Sequence, residues 1–438
     1  MSKIPSPSLE EQARFITEAA TRLQQQLDTH GFPQPGFEAS ARRDWRDVAA
    51  HPDILQTRSD LIDAAQMMLN LALGPTDTLT SLAGPTITKI EVLRTLDDLG
   101  VARVVPQEGT IHLADLAAKI GVNGSLLHRQ LKVAYLMGMF QEPSPGQIAH
   151  TSFSAAIPDF SPYTQLRTTR LFYTGAWEVA NSMRIWQDDP PKHHMQIPVE
   201  MADPDHRGMW KILEEDDPDK KGHEKFAAGM KALVSAYVGT SFTPYVQGFD
   251  WASIEEGLVI DIGGGNGHIE ANIFKDLPGV NFLIQDLAEN EQATKELAQK
   301  QGAGDRISFQ VHDFFQPQPA DLQPKAYILS RVLHDWQDAD CVKIIQPLIP
   351  AMEKGAKLFV SERILPDGPG EVPVHKELLL RHTDILMFTL YGAKERSRGD
   401  FEALFKLADP RLKVKKVQHP PSTIFSMLEV VLDQGQDV

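Results

Sequence analysis

One histidine and two glutamates occupy positions in this sequence where side chains could move a proton. His334 and Glu362 each follow an apolar segment typical of a β-strand, and Glu395 lies in a polar stretch beyond them. An imidazole can take the proton of a hydroxyl group such as a phenol, whose pKa is about 10. A carboxylate bound to the second ring nitrogen fixes the tautomer that does so. We therefore predict that His334 is a general base, with Glu362 and Glu395 as its orienting carboxylates.

A glycine-rich turn indicates where a nucleoside-containing ligand would bind. The apolar strand Leu258–Ile262 leads directly into Gly263-Gly264-Gly265-Asn266-Gly267 and then into a helix that begins near Ile269. The backbone N–H groups of such a turn and the amino end of the helix face the ligand. Asp286 ends the next strand about twenty residues later, where its carboxylate can accept hydrogen bonds from both ribose hydroxyls.

A third strand end adds a carboxylate and an aromatic ring suited to an adenine base, Asp313 and Phe314. A nicotinamide dinucleotide site would need a third small residue at a set offset from the glycines. The two possible registers place His268 or Glu270 there. The pattern therefore favours a nucleoside ligand over a dinucleotide.

The elements that must position these residues alternate between short strands and helices. We expect strands at Leu258–Ile262, Asn281–Ile284, Ile307–Val311, Ala326–Leu329 and Lys357–Ser361. Such alternation predicts a doubly wound α/β domain with a parallel sheet, whose ligands lie at the carboxyl ends of the strands. We assign residues 159–438 to this domain, with its Rossmann-like core over about 246–438.

The residues ahead of this domain are predicted to be helical. Residues 1–75 form an extension with helices over Ser8–His30 and Ile54–Leu73, which would pack either on a second subunit or on their own chain. Residues 76–158 follow the outline of a winged helix. Its helices are predicted at Ile90–Leu99, Leu113–Ile120 and Ser125–Leu136, before a hairpin around Pro143–Gly146.

A winged helix suggests DNA binding, but the third helix offers only His128, Arg129 and Lys132. The chain has a formal net charge of −16 and no run of basic residues. We therefore expect no nucleic-acid partner, and instead a role for this domain in dimerisation or in covering a pocket.

Composition also bears on location and on metals. The chain lacks an apolar run of membrane-spanning length and an amino-terminal secretory signal, and it has one cysteine, Cys341. We expect a soluble cytoplasmic protein without membrane partner. The histidines other than His334 do not have the spacing of a zinc site, so we predict no metal.

The helical region Tyr163–Val246 is rich in large apolar side chains. Most are expected to be core, and Trp177 and Met183 are candidates to line a substrate pocket. Together with the aromatic and methionine content, they favour a flat, largely apolar small molecule as substrate.

Five stretches of the sequence resemble the plant and fungal small-molecule O-methyltransferases of the caffeic-acid type. They are Val259–Gly267, Gln285–Leu287, Leu333–Trp336, Asp384–Met387 and Gly392–Arg396. The likeness covers roughly residues 85 to 425, and the length of the extension resembles fungal natural-product members. The resemblance implies an α/β Rossmann-like methyltransferase domain behind a winged-helix dimerisation domain, and a homodimer.

The same resemblance implies S-adenosylmethionine as cofactor and transfer of its methyl group to a hydroxyl of an aromatic or polyketide-like natural product. Its implied cofactor contacts are Asp261, Gly263, Gly265, Asp286, Leu287, Asp313, Phe314 and Arg331. Its implied substrate contacts are Phe226, Met230, Asp384 and Met387. It assigns the base to His334, flanked by Glu362 and Glu395.

Two other functions fit the same fold. A relative could keep the cofactor only as a fixed positive charge and catalyse dehydration or a pericyclic cyclisation, with Arg331 or His150 as donors. A regulator that only senses the cofactor would be expected to lose the histidine and glutamates. Because all three are present, methyl transfer is favoured. The segment Met387–Gly392 is shorter than in many plant members and lacks their usual asparagine, so acceptor recognition there does not follow.

Overall fold

The computed structural model describes residues 7–42, 44–186, 196–238, 242–254, 256–368, 370–420 and 423–433. The chain divides into two units, the first made of Met1–Ala176 and Met209–Gly239 and the second of Trp177–Gly208 and Thr240–Val438. The division into three parts at residues 75 and 158 stays a prediction.

Helices dominate the first half of the chain. In order, the elements are α1 Leu9–His30, α2 Pro52–Ala83, α3 Pro85–Asp98, α4 Val101–Val104, β1 Ile111–His112, α5 Leu113–Ile120, α6 Gly124–Leu136, β2 Gln141–Ser144, β3 Gln147–Ala149, α7 Ser152–Arg167, α8 Arg170–Trp186, α9 Pro198–Ala202, α10 Met209–Glu215 and α11 Gly222–Val238. Of these, α9 and the carboxyl end of α8 belong to the second unit. Within the described ranges, no helix combines the length and the hydropathy needed to cross a bilayer.

The winged-helix outline is confirmed in the first unit. Helices α5 and α6 lie where the sequence predicts them, and the hairpin of β2 and β3 gains β1 as a third strand, in the order β1-β3-β2. An apolar core that includes Val92, Leu116, Leu131 and Ile148 joins these elements. On α6, His128 is paired with Glu142 of the hairpin at 3.1 Å, so one of the few basic groups of this helix already has an acidic partner.

The two amino-terminal helices form where the apolar spacing predicts them. Ser8 caps α1 in a capping box with Glu11, and Gly31 ends it in the left-handed conformation. Helix α2 was expected to end at Gly74, but helical structure resumes after a kink there, where φ is 67°. A glycine allows this backbone conformation, and the following Pro75 is tolerated because it opens a new helical turn.

The second unit contains the elements of the predicted α/β domain. They are α12 Thr243–Gly248, β4 Gly257–Ile262, α13 Glu270–Ile273, β5 Val280–Asp286, α14 Glu291–Gln301, β6 Ile307–Val311, β7 Pro324–Ser330, α15 Asp338–Ile345, α16 Ile349–Met352, β8 Lys357–Glu362, β9 Ile364–Leu365, α17 Val374–Tyr391, β10 Arg396–Ser397, α18 Arg398–Ala408, β11 Leu412–Gln418 and β12 Ser426–Leu432.

A seven-stranded sheet in the order β11-β12-β8-β7-β4-β5-β6 forms the centre of this unit. The five predicted strands β4 to β8 are present and parallel. The expectation of an all-parallel sheet was wrong, because β12 runs antiparallel to β8 and β11 antiparallel to β12. Lysines interrupt the apolar residues of β11, as suits a strand at the edge of a sheet. The sequence pattern therefore did not indicate this strand.

Successive strand residues face opposite sides of the sheet, and each side has its own apolar core. Leu358 and Val360 of β8 join the core formed with α15 and α18, whereas Phe359 joins the core on the side of α13 and α14. This alternation is the period of two that a sheet covered on both faces requires. The covered sheet holds its carboxyl-terminal strand ends in fixed positions.

We expect Phe359→Ala to lower the free energy of unfolding by about 3–5 kcal/mol, because it leaves a cavity in a core that the sheet cannot refill. Phe359 is fully buried and stacks on Phe249 at 4.6 Å between ring centroids. Urea unfolding followed by circular dichroism measures the change. Leu407→Ala, at an exposed position of α18, is the control and should change stability little. Equal losses in both variants would contradict this account of the core.

Candidate active site

His334 lies on a single 3₁₀ turn, Leu333–Asp335, that directly follows β7. Glu362 is the last residue of the neighbouring strand β8, and Glu395 follows the end of α17. The histidine is 9% exposed and both glutamates are buried. The structure therefore brings together the three residues that the sequence predicts to act on a proton.

The two glutamates hold the histidine in different ways. Glu395 Oε1 lies 3.2 Å from His334 Nδ1, within hydrogen-bond distance, whereas Glu362 Oε2 lies 3.7 Å from the same nitrogen. Glu362 Oε1 instead accepts the backbone N–H groups of Val332 and Leu333 at 2.9 and 2.8 Å. Glu395 thus contacts the imidazole ring directly, and Glu362 fixes the backbone of the turn to which His334 belongs.

The surroundings of the imidazole favour its charged form. Burial alone opposes that charge, but Coulomb attraction from Glu362, Asp335 and Glu395 outweighs it and raises the pKa of His334 to about 9. The second ring nitrogen, Nε2, lies 3.5 Å from Asp335 Oδ1, too far for a good hydrogen bond. Since Nδ1 is engaged by Glu395, Nε2 is the nitrogen available to a substrate.

Arg363 is a member of this cluster that the sequence reasoning missed. Its Nη1 donates to Glu395 Oε1 at 3.0 Å, the same oxygen that faces His334. The only signal in the sequence was its place directly after Glu362. Asp384, predicted to contact substrate, has its Oδ1 on the backbone N–H of Glu395 at 3.0 Å and so supports the glutamate.

The donor atoms of His334, Glu362 and Glu395 lie within 4.8 Å of one another, a spacing that a metal ion could also use. However, the Arg363 guanidinium already neutralises Glu395 from inside the cluster. This arrangement is that of a histidine within hydrogen-bond distance of a carboxylate that also has a cationic partner.

The glycine turn after β4 has the backbone that its sequence requires. Gly263, Gly265 and Gly267 adopt φ values of 69°, 58° and 67°, which favour glycine. Asp286, at the end of β5, accepts the Gly265 N–H on Oδ2 and the Leu287 N–H on Oδ1, both at 2.7 Å. Oδ1 also accepts from Asn290 Nδ2 at 3.0 Å, so the carboxylate is held beside the turn and Oδ2 keeps a lone pair for a ribose hydroxyl.

A second carboxyl pair lies beneath the turn. Asp261 and Glu270 are both fully buried, and a Cβ on Gly264 would lie 2.3 Å from Asp261 Oδ2. Burial and mutual repulsion raise the pKa of Asp261 well above its usual range, and burial raises that of Glu270 to about 7. Both carboxyl groups therefore keep their protons to a higher pH than exposed carboxyl groups do. Direct contact of Asp261 with the cofactor stays a prediction.

The other predicted cofactor residues surround the same turn. Phe314 packs at Gly263, where a Cβ would lie 3.6 Å from its ring, and Asp313 accepts the Phe315 N–H at 3.0 Å. Arg331 has a φ of 59°, rare for a non-glycine residue, and donates to His268 Nε2 at 3.0 Å. The glycine turn, the aromatic ring and the two strand-end carboxylates fit an adenosine-containing ligand.

The predicted substrate residues are divided between the two units. Trp177 and Met183 are 79% and 62% exposed, so they are not core residues, and Met387 is buried in α17. Phe226 and Met230 belong to α11 of the first unit, where Phe226 meets Trp210 edge-on. The role of all five in binding substrate stays a prediction.

The sequence is similar to proteins named as O-methyltransferases. The O-methyltransferase domain family matches residues 206–409. O-methyltransferase FrzF of Cladobotryum sp is 32% identical over 394 residues, which cover 86% of this chain and 88% of FrzF. O-methyltransferase aurJ of Gibberella zeae is 29% identical over 450 residues, which cover 99% of each chain.

The fold is similar to that of OxaC, whose crystal structure was determined in complex with SAH and oxaline. The TM-score is 0.73 at 21% sequence identity, over 97% of this chain and 98% of OxaC. At this identity the likeness concerns the fold, and it confirms the Rossmann-like fold class.

We expect Gly264→Ala to weaken binding of S-adenosylhomocysteine by about tenfold or more, because the added methyl group meets Asp261 and displaces the turn. Isothermal titration calorimetry measures the affinity. Gly304→Ala is the matched control, since its Cβ would meet only the Gln299 side chain at 3.9 Å. Unchanged affinity in the Gly264 variant would place the ligand away from this turn.

Proposed function

Because this chain belongs to the O-methyltransferase family and uses S-adenosylmethionine as its cofactor, we propose that His334 takes the proton of the acceptor hydroxyl during methyl transfer. The observation that carries the proposal is the hydrogen-bond distance from Glu395 to His334 Nδ1, which leaves Nε2 available. S-adenosylmethionine supplies an electrophilic methyl group on a positively charged sulfur. His334 Nε2 would take the hydroxyl proton as the acceptor oxygen bonds to that methyl carbon, and the carbon–sulfur bond would break to release S-adenosylhomocysteine.

The protonation of His334 sets the pH at which the enzyme works. With a pKa of about 9, the imidazole is mostly protonated at neutral pH before the cofactor binds. A cation held in the site opposes the imidazolium and lowers that pKa. Turnover should therefore rise with pH until the imidazole in the loaded enzyme is neutral.

We further propose that the acceptor is a flat, largely apolar molecule with a free hydroxyl, of the aromatic or polyketide-like class. The small-molecule substrate follows from the family, and OxaC was crystallised with oxaline. The exposed Trp177 and Met183 support an apolar acceptor, because large apolar side chains left open to solvent often mark binding sites. Cyclisation without consumption of the cofactor is the other outcome that an assay must separate.

We expect His334→Gln to lower turnover by about 10²- to 10⁴-fold, with an affinity for S-adenosylmethionine within about twofold of the natural protein. Both proteins are incubated with the cofactor and a panel of phenolic and polyketide-like compounds. Release of S-adenosylhomocysteine and product mass are followed. Full turnover in the variant would contradict the base role, and a rearranged product with intact cofactor would indicate cyclisation.

We also propose that the chain forms a homodimer through its amino-terminal helices. Large apolar side chains of α2 and α3 remain between 37% and 66% exposed, namely Leu69, Leu71, Leu79, Leu82, Ile87 and Ile90. Such side chains on neighbouring helices are typical of a covered surface. A second copy of the chain is the partner that the family resemblance implies. Cytoplasmic location stays a prediction.

We expect the natural protein to have twice the chain mass of 48.7 kDa in size-exclusion chromatography with light scattering. Leu79→Glu combined with Leu82→Glu should shift it toward the single-chain mass, because charged side chains are costly to bury at an interface. Leu378→Glu, at an exposed position of α17 in the other unit, is the control and should leave the mass unchanged. A natural protein with the mass of one chain would overturn the dimer proposal.

A further inference from the structure

Glu395 Oε1 has two competing donors. His334 Nδ1 lies 3.2 Å from this oxygen and Arg363 Nη1 lies 3.0 Å from it. The pairing of β9 with β10 explains the contact, since Arg396 lies opposite Ile364 in a parallel register. The residues directly before them, Arg363 and Glu395, are therefore side by side.

The guanidinium of Arg363 is fixed in this position. Arg363 is 7% exposed, and its Cζ lies 4.8 Å from the centre of the buried Phe425 ring. Contact of a guanidinium with an aromatic face is attractive and restricts its rotation. The positive charge therefore stays within the cluster.

More negative than positive groups surround His334. The imidazole is faced by Asp335 from its own turn, by Glu362 from β8 and by Glu395 from the segment after α17. Asp384 of α17 supports Glu395. Burial raises the pKa of Asp335, and the charges of Arg363 and Arg331 oppose that rise. Burial also raises the pKa of Glu362 against the opposing charge of Arg363, whereas His334 and Arg363 outweigh burial at Glu395 and lower its pKa. The charge of Arg363 therefore acts on all three carboxylates.

We propose that Arg363 is a positioning residue that holds Glu395 and keeps the proton affinity of His334 below the value that the surrounding carboxylates alone would give it. The inference rests on the proposed base role of His334. Without this cation, the buried Glu362 and Glu395 and the part-exposed Asp335 would act on one imidazole with less opposing charge. The histidine would then keep its proton to higher pH and turnover would fall at neutral pH.

The test compares Arg363→Gln, which keeps an N–H donor for Glu395 but removes the charge, with Arg363→Lys, which keeps the charge. In the glutamine variant, the rising limb of kcat against pH should move up by about one unit. Turnover on that limb should fall about tenfold and recover at higher pH. The lysine variant should stay close to the natural profile.

Arg396→Gln is the matched control for the loss of a buried arginine. Arg396 donates to the carbonyls of Leu333 and Trp336 around the same turn, but its carboxylate partner is Asp338. This variant should lose turnover at every pH without a shift of the limb. If Arg363→Gln also loses turnover at every pH without a shift of the limb, Arg363 has a merely structural role and the proposal is wrong.

A second readout does not depend on turnover. The imidazole pKa of His334 is measured by NMR on protein labelled with carbon-13 at histidine, and its signal is the one missing from His334→Gln. The pKa should rise in Arg363→Gln and not in Arg363→Lys, and an unchanged pKa would overturn the proposal. If the pKa rises while the kcat profile does not follow, Arg363 acts as proposed and His334 is not the base.

Discussion

The fold of the second unit depends on the burial of charge at the edge of one sheet. Glu362 and Glu395 are buried completely, and each would be costly there without a partner. Backbone N–H groups hold the first, and an imidazole and a guanidinium hold the second. Because these partners come from separate parts of the chain, the cluster can form only when β7, β8 and the segment after α17 are assembled.

The chemistry lies where parallel strands end, and this explains how much the sequence could reveal. The glycine turn follows β4, Asp286 ends β5, and His334 follows β7. Strand ends are recognisable from apolar runs, and the carboxyl ends of parallel strands meet at one edge. The fold class and the grouping of His334 with Glu362, which ends β8, were therefore predictable.

Other features depend on contacts that no local pattern shows. Strands β9 and β10 are two residues long, so the neighbourhood of Arg363 and Glu395 has no sequence periodicity. The proximity of Glu270 to Asp261 was equally unpredictable from the sequence. Glu270 was notable there only as a residue that a dinucleotide site would not have at its third small position. The apolar side chain of Trp177 suggests a core position, but the residue is exposed. Sequence alone does not separate the two cases, because large apolar side chains occur both in cores and at the surface.

The two buried carboxyl groups beneath the glycine turn constrain how this sequence can vary. A neutral residue at one of the two positions, Asp261 or Glu270, would remove the acid partner and leave the other carboxyl buried alone. Substitutions at these positions should therefore be tolerated in pairs more readily than singly. A glycine turn transplanted from a relative together with the residue at position 261 of the strand would also need the matching residue at position 270 of the helix. In this chain, the structural unit that includes the glycine turn thus extends from residue 261 to residue 270.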